Sequence, residues 1–357
     1  MEQAVYHFQY KGNPVSCERY GQGHINRTFL VETDTGNQYI LQCISSRAFH
    51  DIPGLMENAL AVTEHIAKKN PDERGTLKYV RADSGDLCYV DEKGEYWRSY
   101  IFVDDCICLQ LPECEEDFYQ SAAAFGEFQN QLADFPADTL HETIPHFHDT
   151  PDRYRKFRKS LEKDVMHRAA DAENEIKFVL EHEKEAGYLM DLLAKGELPL
   201  RVTHNDTKIN NVLLDAKTRK PLCVIDLDTV MPGLTAFDFG DSIRSGATTG
   251  AEDETDLSKV NFDMNLYRIF AGGFIRACPN LTEKEKEVLP WGAKMMTLEC
   301  GVRFLTDFLD GDVYFATARE AHNLDRARTQ FKLVSDMENH WDEMNRIIQE
   351  ESEKNRE

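Results

Sequence analysis

No stretch of this chain reaches the roughly 18 consecutive apolar residues that a membrane span requires, and the opening Met1-Glu2-Gln3-Ala4 has no basic segment followed by an apolar run. Neither a membrane partner nor an export signal is expected, and a cytoplasmic location follows. Basic residues are also in short supply: 41 Lys and Arg face 64 Asp and Glu, a formal net charge of -23. Such a balance repels nucleic acid and anionic lipid, and no local basic patch offsets it. Repeats and low-complexity segments are absent. Nine cysteines, an odd number scattered from Cys17 to Cys300, do not make a disulfide framework. Cys106, Cys108 and Cys114 crowd together but lack the second Cys/His cluster of a zinc site, so they read as reduced thiols.

What is present is enough for a full core, since 357 residues at 41% hydrophobic content suit two domains or one two-lobed domain. The β-prone runs Thr28 to Thr33 and Gln38 to Ile44 flank Asp34-Thr35-Gly36-Asn37, which predicts a hairpin. A helix follows, with Pro53 near its start, Leu55, Met56, Leu60, Val62 and Ile66 at helical spacing, and Lys68 and Lys69 in its last turn. Two more strands are expected around Leu87 to Val90 and Tyr96 to Val103, separated by Asp91-Glu92-Lys93-Gly94.

From about Glu116 the pattern turns helical, first over Phe118 to Leu132 and then over roughly Asp152 to Ala194. A short β interlude at Leu213-Leu214 and Leu222 to Ile225 interrupts the helices, which resume near Phe262. The expected class is α+β: a small β-rich N-lobe over residues 1–103 and a larger helical C-lobe over 104–357.

The most specific chemical signal is His204-Asn205-Asp206-Thr207-Lys208-Ile209-Asn210-Asn211, followed by Val224-Ile225-Asp226-Leu227-Asp228. The first piece has the H-x-D-x-x-x-x-N form of a phosphotransferase catalytic loop, in which the Asp accepts a hydroxyl proton and the Asn ligates a metal. The second sets a carboxylate at the end of an apolar strand, 20 residues past Asp206. Mg²⁺ takes hard oxygen ligands, so Asn211 and Asp226 are the expected metal pair, Asp206 the expected base, and ATP the expected co-substrate. The plainer alternative is an N-capping Asp with turn-forming Asn residues. Asp238-Phe239-Gly240 spells the metal-binding tripeptide of protein kinases, yet it lies 32 residues past Asp206 and follows no apolar strand. Asp238 and Asp241 are expected instead to cap a helix or anchor the catalytic loop.

These motifs resemble the aminoglycoside phosphotransferase and choline kinase superfamily, whose fold is the two-lobed protein-kinase-like one. One branch, the bacterial N-acetylhexosamine 1-kinases, is similar in further segments: Gly21 to Asn26, Met56-Glu57-Asn58, Asp226 to Pro232, Asp238 to Ser245, Arg303 to Asp307, Gly311 to Phe315 and His322 to Leu324. The resemblance implies a kinase that phosphorylates the anomeric hydroxyl of N-acetylglucosamine or N-acetylgalactosamine. The sequence also permits a choline- or aminoglycoside-type acceptor, or a catalytically dead kinase-like binding module.

For the nucleotide, Gly21 and Gly23 read as a glycine loop before a strand or as an ordinary turn. The superfamily places a Lys or Arg on its third strand, and here Ile40-Leu41-Gln42-Cys43-Ile44 has none. Gln42, Arg47 and Lys208 are the candidates to contact the phosphates, and Glu57 loses the partner the family would give it. For the sugar, His24, Arg303 and Tyr314 are the candidates, with Arg319 and His322 behind them; a surface or packing role is the alternative for the Arg and Tyr side chains and a turn role for His24.

Overall fold

The protein is described by a computed structural model covering residues 2–21 and 25–355. In chain order the strands are β1 (Pro14–Arg19), β2 (Arg27–Thr33), β3 (Gln38–Ile44), β4 (Tyr79–Val80), β5 (Tyr89–Val90), β6 (Tyr96–Ile101), β7 (Cys106–Cys108), β8 (Arg201–Thr203), β9 (Val212–Asp215), β10 (Pro221–Val224) and β11 (Met231–Gly233). The helices are α1 (Ile52–Lys69), α2 (Glu115–Gln131), α3 (Thr150–Lys163), α4 (Glu173–His182), α5 (Tyr188–Ala194), α6 (Thr235–Gly246), α7 (Met264–Ala277), α8 (Glu283–Glu287), α9 (Leu289–Asp310), α10 (His322–Asn339) and α11 (Trp341–Lys354). Helix predominates over strand and the paired strands run antiparallel, which is the expected α+β class. Among the described residues no helix is long and apolar enough to cross a membrane.

Two compact units form. The first comprises residues 1–108, 134–145 and 212–232, and the second 109–133, 146–211 and 233–357. A single cut after residue 103 misses two returns of the chain to the first unit. One has a plain cause: β9 pairs with both β10 and β7, which ties the hairpin to the earlier strands by backbone hydrogen bonds.

In the first unit the sheet order is β1-β2-β3-β6-β4, with β5 also on β6. Alternation divides its faces. Phe29, Val31, Tyr39, Leu41, Cys43 and Trp97 gather on one side with Val5 and Phe8. On the other, Ile44 packs with Ile52, Leu55 and Met56 of α1. Helix α1 begins where the Asp51 carboxylate accepts the Gly54 N–H at 3.0 Å and Pro53 needs no donor. Lys68 and Lys69 complement the dipole in its last turn.

The second unit is organised around α9, which packs against α3, α6 and α10. Val302, Leu305 and Leu309 of α9 are fully buried in that core with Phe157 of α3. Helices α6 and α9 approach closely because both carry glycine at the contact: a Cβ on Gly240 would lie 2.2 Å from the Gly292 carbonyl oxygen. The helical stretch expected over 152 to 194 is broken into α3, α4 and α5, with Asp164 and His167 in the left-handed region after α3. Helix α6 begins well before Phe262, and it takes in Asp238-Phe239-Gly240.

Candidate active site

Strand β8 delivers the catalytic loop, and buried side chains of α6 hold its backbone from below. The Asp238 carboxylate accepts the His204 N–H at 2.9 Å, the Asn205 N–H at 2.8 Å and the Gln129 amide at 2.6 Å. Asp241 accepts the Thr207 N–H at 3.0 Å, and Ser242 donates to the Thr207 carbonyl at 2.7 Å. The tripeptide therefore anchors the loop through Asp238, the loop-anchoring role expected of it. Burial pushes the Asp238 carboxyl above the usual carboxylate range, against the pull of His204 and its three donors. His204 itself is buried edge-on to the Phe125 and Phe128 rings. Asn205 takes a left-handed conformation, φ 65°, which Asn tolerates better than most residues.

Asp238→Ala should strand two buried backbone donors, at a cost of about 1–3 kcal/mol for each. Urea unfolding should show a loss of about 2 kcal/mol or more. A variant as stable as the parent would mean that the loop does not depend on this anchor.

Three of the expected site residues meet in this loop. Asn211, in the turn Ile209–Asn211, donates its amide to the Asp206 carbonyl at 2.8 Å and to Asp206 Oδ2 at 3.2 Å. Lys208 Nζ lies 2.8 Å from Asp206 Oδ1. Burial would lower the Lys208 ammonium, but Asp206 and Asp241 outweigh it and hold it above the ordinary lysine range. Asp206 is thus a partly exposed carboxylate aimed by a cation and an amide, the arrangement a base for a hydroxyl proton needs. With its nitrogen on Asp206, the Asn211 amide has its oxygen as the remaining polar atom, and that is a hard ligand of the kind Mg²⁺ accepts.

Arg303 and Tyr314 also come together in the second unit. The Arg303 guanidinium lies 5.4 Å from the Phe315 ring centroid and 5.9 Å from those of Phe147 and Tyr314. Helix α9 ends at Gly311, whose φ of 98° suits glycine. The loop beyond it is held by Asp307, which accepts the N–H groups of Val313 at 2.9 Å, Tyr314 at 2.8 Å and Phe315 at 2.9 Å. Asn323 braces Asp307 and Asp312, both at 2.9 Å. Tyr314 stands 70% exposed on this loop, with its ring edge-to-face to Phe315 at 4.8 Å between centroids.

A second arginine was not singled out from sequence. Arg153 of α3 donates to the Phe147 carbonyl and shares the buried Glu299 with His148, whose Nδ1 is 3.0 Å from Glu299 Oε1. Burial lowers the Arg153 guanidinium, and Arg303 adds to that effect. Burial alone would raise Glu299, but the hydrogen bond from His148 and the charges of Arg153 and Arg303 hold it below the usual range. His148 Nε2 lies 3.3 Å from the Asn205 carbonyl, so this cluster is joined directly to the catalytic loop. Nothing local in the sequence marks His148 or Arg153, since their partners lie up to 151 residues away.

The remaining candidates are placed elsewhere. Gly23 and His24 lie outside the described residues, and Gly21 is exposed at φ 71°. Arg47 is exposed, and Glu57 pairs with His141 at 2.7 Å. His322 is buried against Asp253 at 2.9 Å, and Arg319 pairs with Asp325.

Gln42 and Asp226 belong to the first unit. Both ends of the Gln42 amide are engaged, Nε2 to Thr28 Oγ1 at 3.0 Å and Oε1 from Arg98 Nε at 2.9 Å. Asp226 is exposed on the turn after β10, in the left-handed region at φ 58°. Asp228 is buried, with Oδ1 on Arg98 and Oδ2 accepting from Asn26 at 2.6 Å. A carboxylate whose two oxygens are committed in this way is a poor metal ligand. Arg98 is the buried cation that sequence reading missed; the signal was a charged residue in the middle of a run that otherwise reads as a strand.

Comparison with known proteins bears on the fold and on the family. The chain is similar in fold to a microcompartment-associated aminopropanol kinase, at 16% identity and TM-score 0.59, covering 96% of this chain and 97% of that one. It is similar to an amicoumacin kinase in complex with AMP-PNP, Ca²⁺ and Ami at 12% identity and TM-score 0.58, covering 92% and 90%. An ethanolamine kinase from Plasmodium vivax matches at 12% identity and TM-score 0.54, covering 88% and 82%. The family model describing the phosphotransferase enzyme family (APH) matches residues 16–262, most of the chain including the whole catalytic loop, and the chain belongs to that family.

Proposed function

We propose that this phosphotransferase transfers the γ-phosphoryl group of ATP to the anomeric hydroxyl of an N-acetylhexosamine, giving the sugar 1-phosphate. Asp206 takes the hydroxyl proton while the acceptor oxygen bonds to phosphorus and the bond to the ADP oxygen breaks. Lys208 and Asn211 hold the Asp206 carboxylate in line. Asn211 and Asp226 are the residues that would hold Mg²⁺, one by an amide oxygen and one by a carboxylate. When bound, that cation neutralises phosphate charge and orients the transferring group.

The observation that carries the acceptor class is Arg303, set among the rings of Phe147, Tyr314 and Phe315, with Arg153 on the Phe147 carbonyl and on the Glu299–His148 cluster that reaches the catalytic loop. Two guanidiniums repel a cationic acceptor such as choline or an aminoglycoside. They suit hydroxyl and amide oxygens, because arginine offers donors and no acceptor. An exposed Tyr314 beside them gives a sugar ring a flat face to lie on. An anomeric hydroxyl is the most acidic on a sugar, which matches a carboxylate base.

Incubation with Mg-ATP and a panel of N-acetylglucosamine, N-acetylgalactosamine, choline and kanamycin, read by ³¹P NMR, tests this. The expected product is a glycosyl 1-phosphate whose signal is split by the anomeric proton. Transfer to choline or kanamycin alone would overturn the acceptor class while leaving the phosphotransferase intact.

A further inference from the structure

One buried ion pair in the first unit takes no part in the proposed phosphoryl transfer. Arg98 and Asp228 have side chains only 3% exposed each, and they lie 130 residues apart in sequence. Strand register sets Arg98 opposite Gln42, and Gln42 accepts a hydrogen bond from its Nε. Met56 of α1 lies over the same guanidinium, its Sδ 3.8 Å from Arg98 NH1.

The turn that carries Asp228 has an unusual conformation. Asp226 sits in the left-handed region, which Asp tolerates better than most residues, and the turn is held on both sides. The flanking holds are visible. Asp228 is gripped by Arg98 and by Asn26, whose own Oδ1 accepts the Ser45 N–H at 3.0 Å. Further along, the buried Asn58 donates to the Val230 carbonyl at 3.0 Å. Of these contacts only the one with Arg98 supplies opposite charge to a buried carboxylate, and a buried charge without its partner forces its surroundings to rearrange.

We infer that Arg98 is a positioning residue: by pairing with Asp228 it holds the turn in the conformation that presents the exposed Asp226 carboxylate as a metal ligand. The inference rests on the reading of Asp226 given above. Arg98 touches neither metal nor substrate in this role; it acts through Asp228.

The test uses the full chain, with Mn²⁺ as probe in the presence of AMP-PNP and its binding followed by electron paramagnetic resonance. Arg98→Met should weaken Mn²⁺ at least about tenfold in protein that remains folded by circular dichroism. Arg98→Lys should recover part of that loss, since lysine keeps the charge and loses the fork. Asp228→Asn should resemble Arg98→Met, and the double variant should be no worse than either single one, as expected of residues that act as a pair.

Parental Mn²⁺ affinity in Arg98→Met, even with a lower melting temperature, would show a purely structural pair and overturn the inference. If Arg98→Met does not fold, parental affinity in both Arg98→Lys and Asp228→Asn has the same meaning. Parental affinity in Asp226→Ala would instead remove the metal assignment itself, and the inference with it.

Discussion

Asp206→Asn should lower turnover by about 10²-fold to 10⁴-fold while leaving nucleotide affinity nearly unchanged. The carboxylate has two jobs in the site: it takes the acceptor proton, and it receives Lys208 on one oxygen and Asn211 on the other. An amide of the same shape keeps the packing and removes the proton acceptor. It also turns an NH₂ toward one of two donors, which adds a local mismatch of about 1–3 kcal/mol. Both effects fall on the chemical step. Nucleotide binding relies on other groups, so calorimetric titration with AMP-PNP should give a parental dissociation constant. Unchanged turnover would remove Asp206 as the base and make Lys208 and Asn211 a structural cluster.

The residues behind that prediction were legible because their signals are local. A loop of eight residues from His204 to Asn211 fixes the donors around Asp206, and the strands after it, β9 and β10, follow from β-prone runs, whereas the three-residue β8 before it was not among the expected strands. The hairpin of β2 and β3 and the Asp51-capped α1 were readable for the same reason: alternation, turn chemistry and end charges act over a few positions. Helix α6 was not. From Thr235 to Arg244 every residue of it is buried, so it has no polar face to contrast with an apolar one; the loop-anchoring role of Asp238 and Asp241 could be expected from the motif, but not the helix that carries them.

The stretch from 152 to 194 failed in the opposite way, since mixed charge throughout conceals the left-handed residues Asp164 and His167 after α3. Contacts that depend on distant register stayed hidden altogether. Gln42 opposite Arg98, Arg98 on Asp228 and His148 on Glu299 are tertiary facts that no sequence window contains.

Asp226→Ala should abolish magnesium-dependent turnover, a fall of at least about 10³-fold if the cation supplies several kcal/mol of charge stabilisation. The two carboxylates of the turn differ in what they can give. Asp228 is buried with both oxygens committed, whereas Asp226 is exposed on a left-handed residue. Removing Asp226 therefore deletes a candidate ligand that is exposed, whereas removing Asp228 unpairs a buried charge. Asp228→Asn should give a clear loss of stability and a graded weakening of metal affinity. A magnesium titration of Asp226→Ala that saturates at parental turnover would exclude Asp226 as the ligand and reassign that role to Asp228. Arg98 would then pair with a metal ligand directly, which predicts that Mg²⁺ competes with the Arg98 ion pair and that Arg98→Met tightens the metal instead of loosening it.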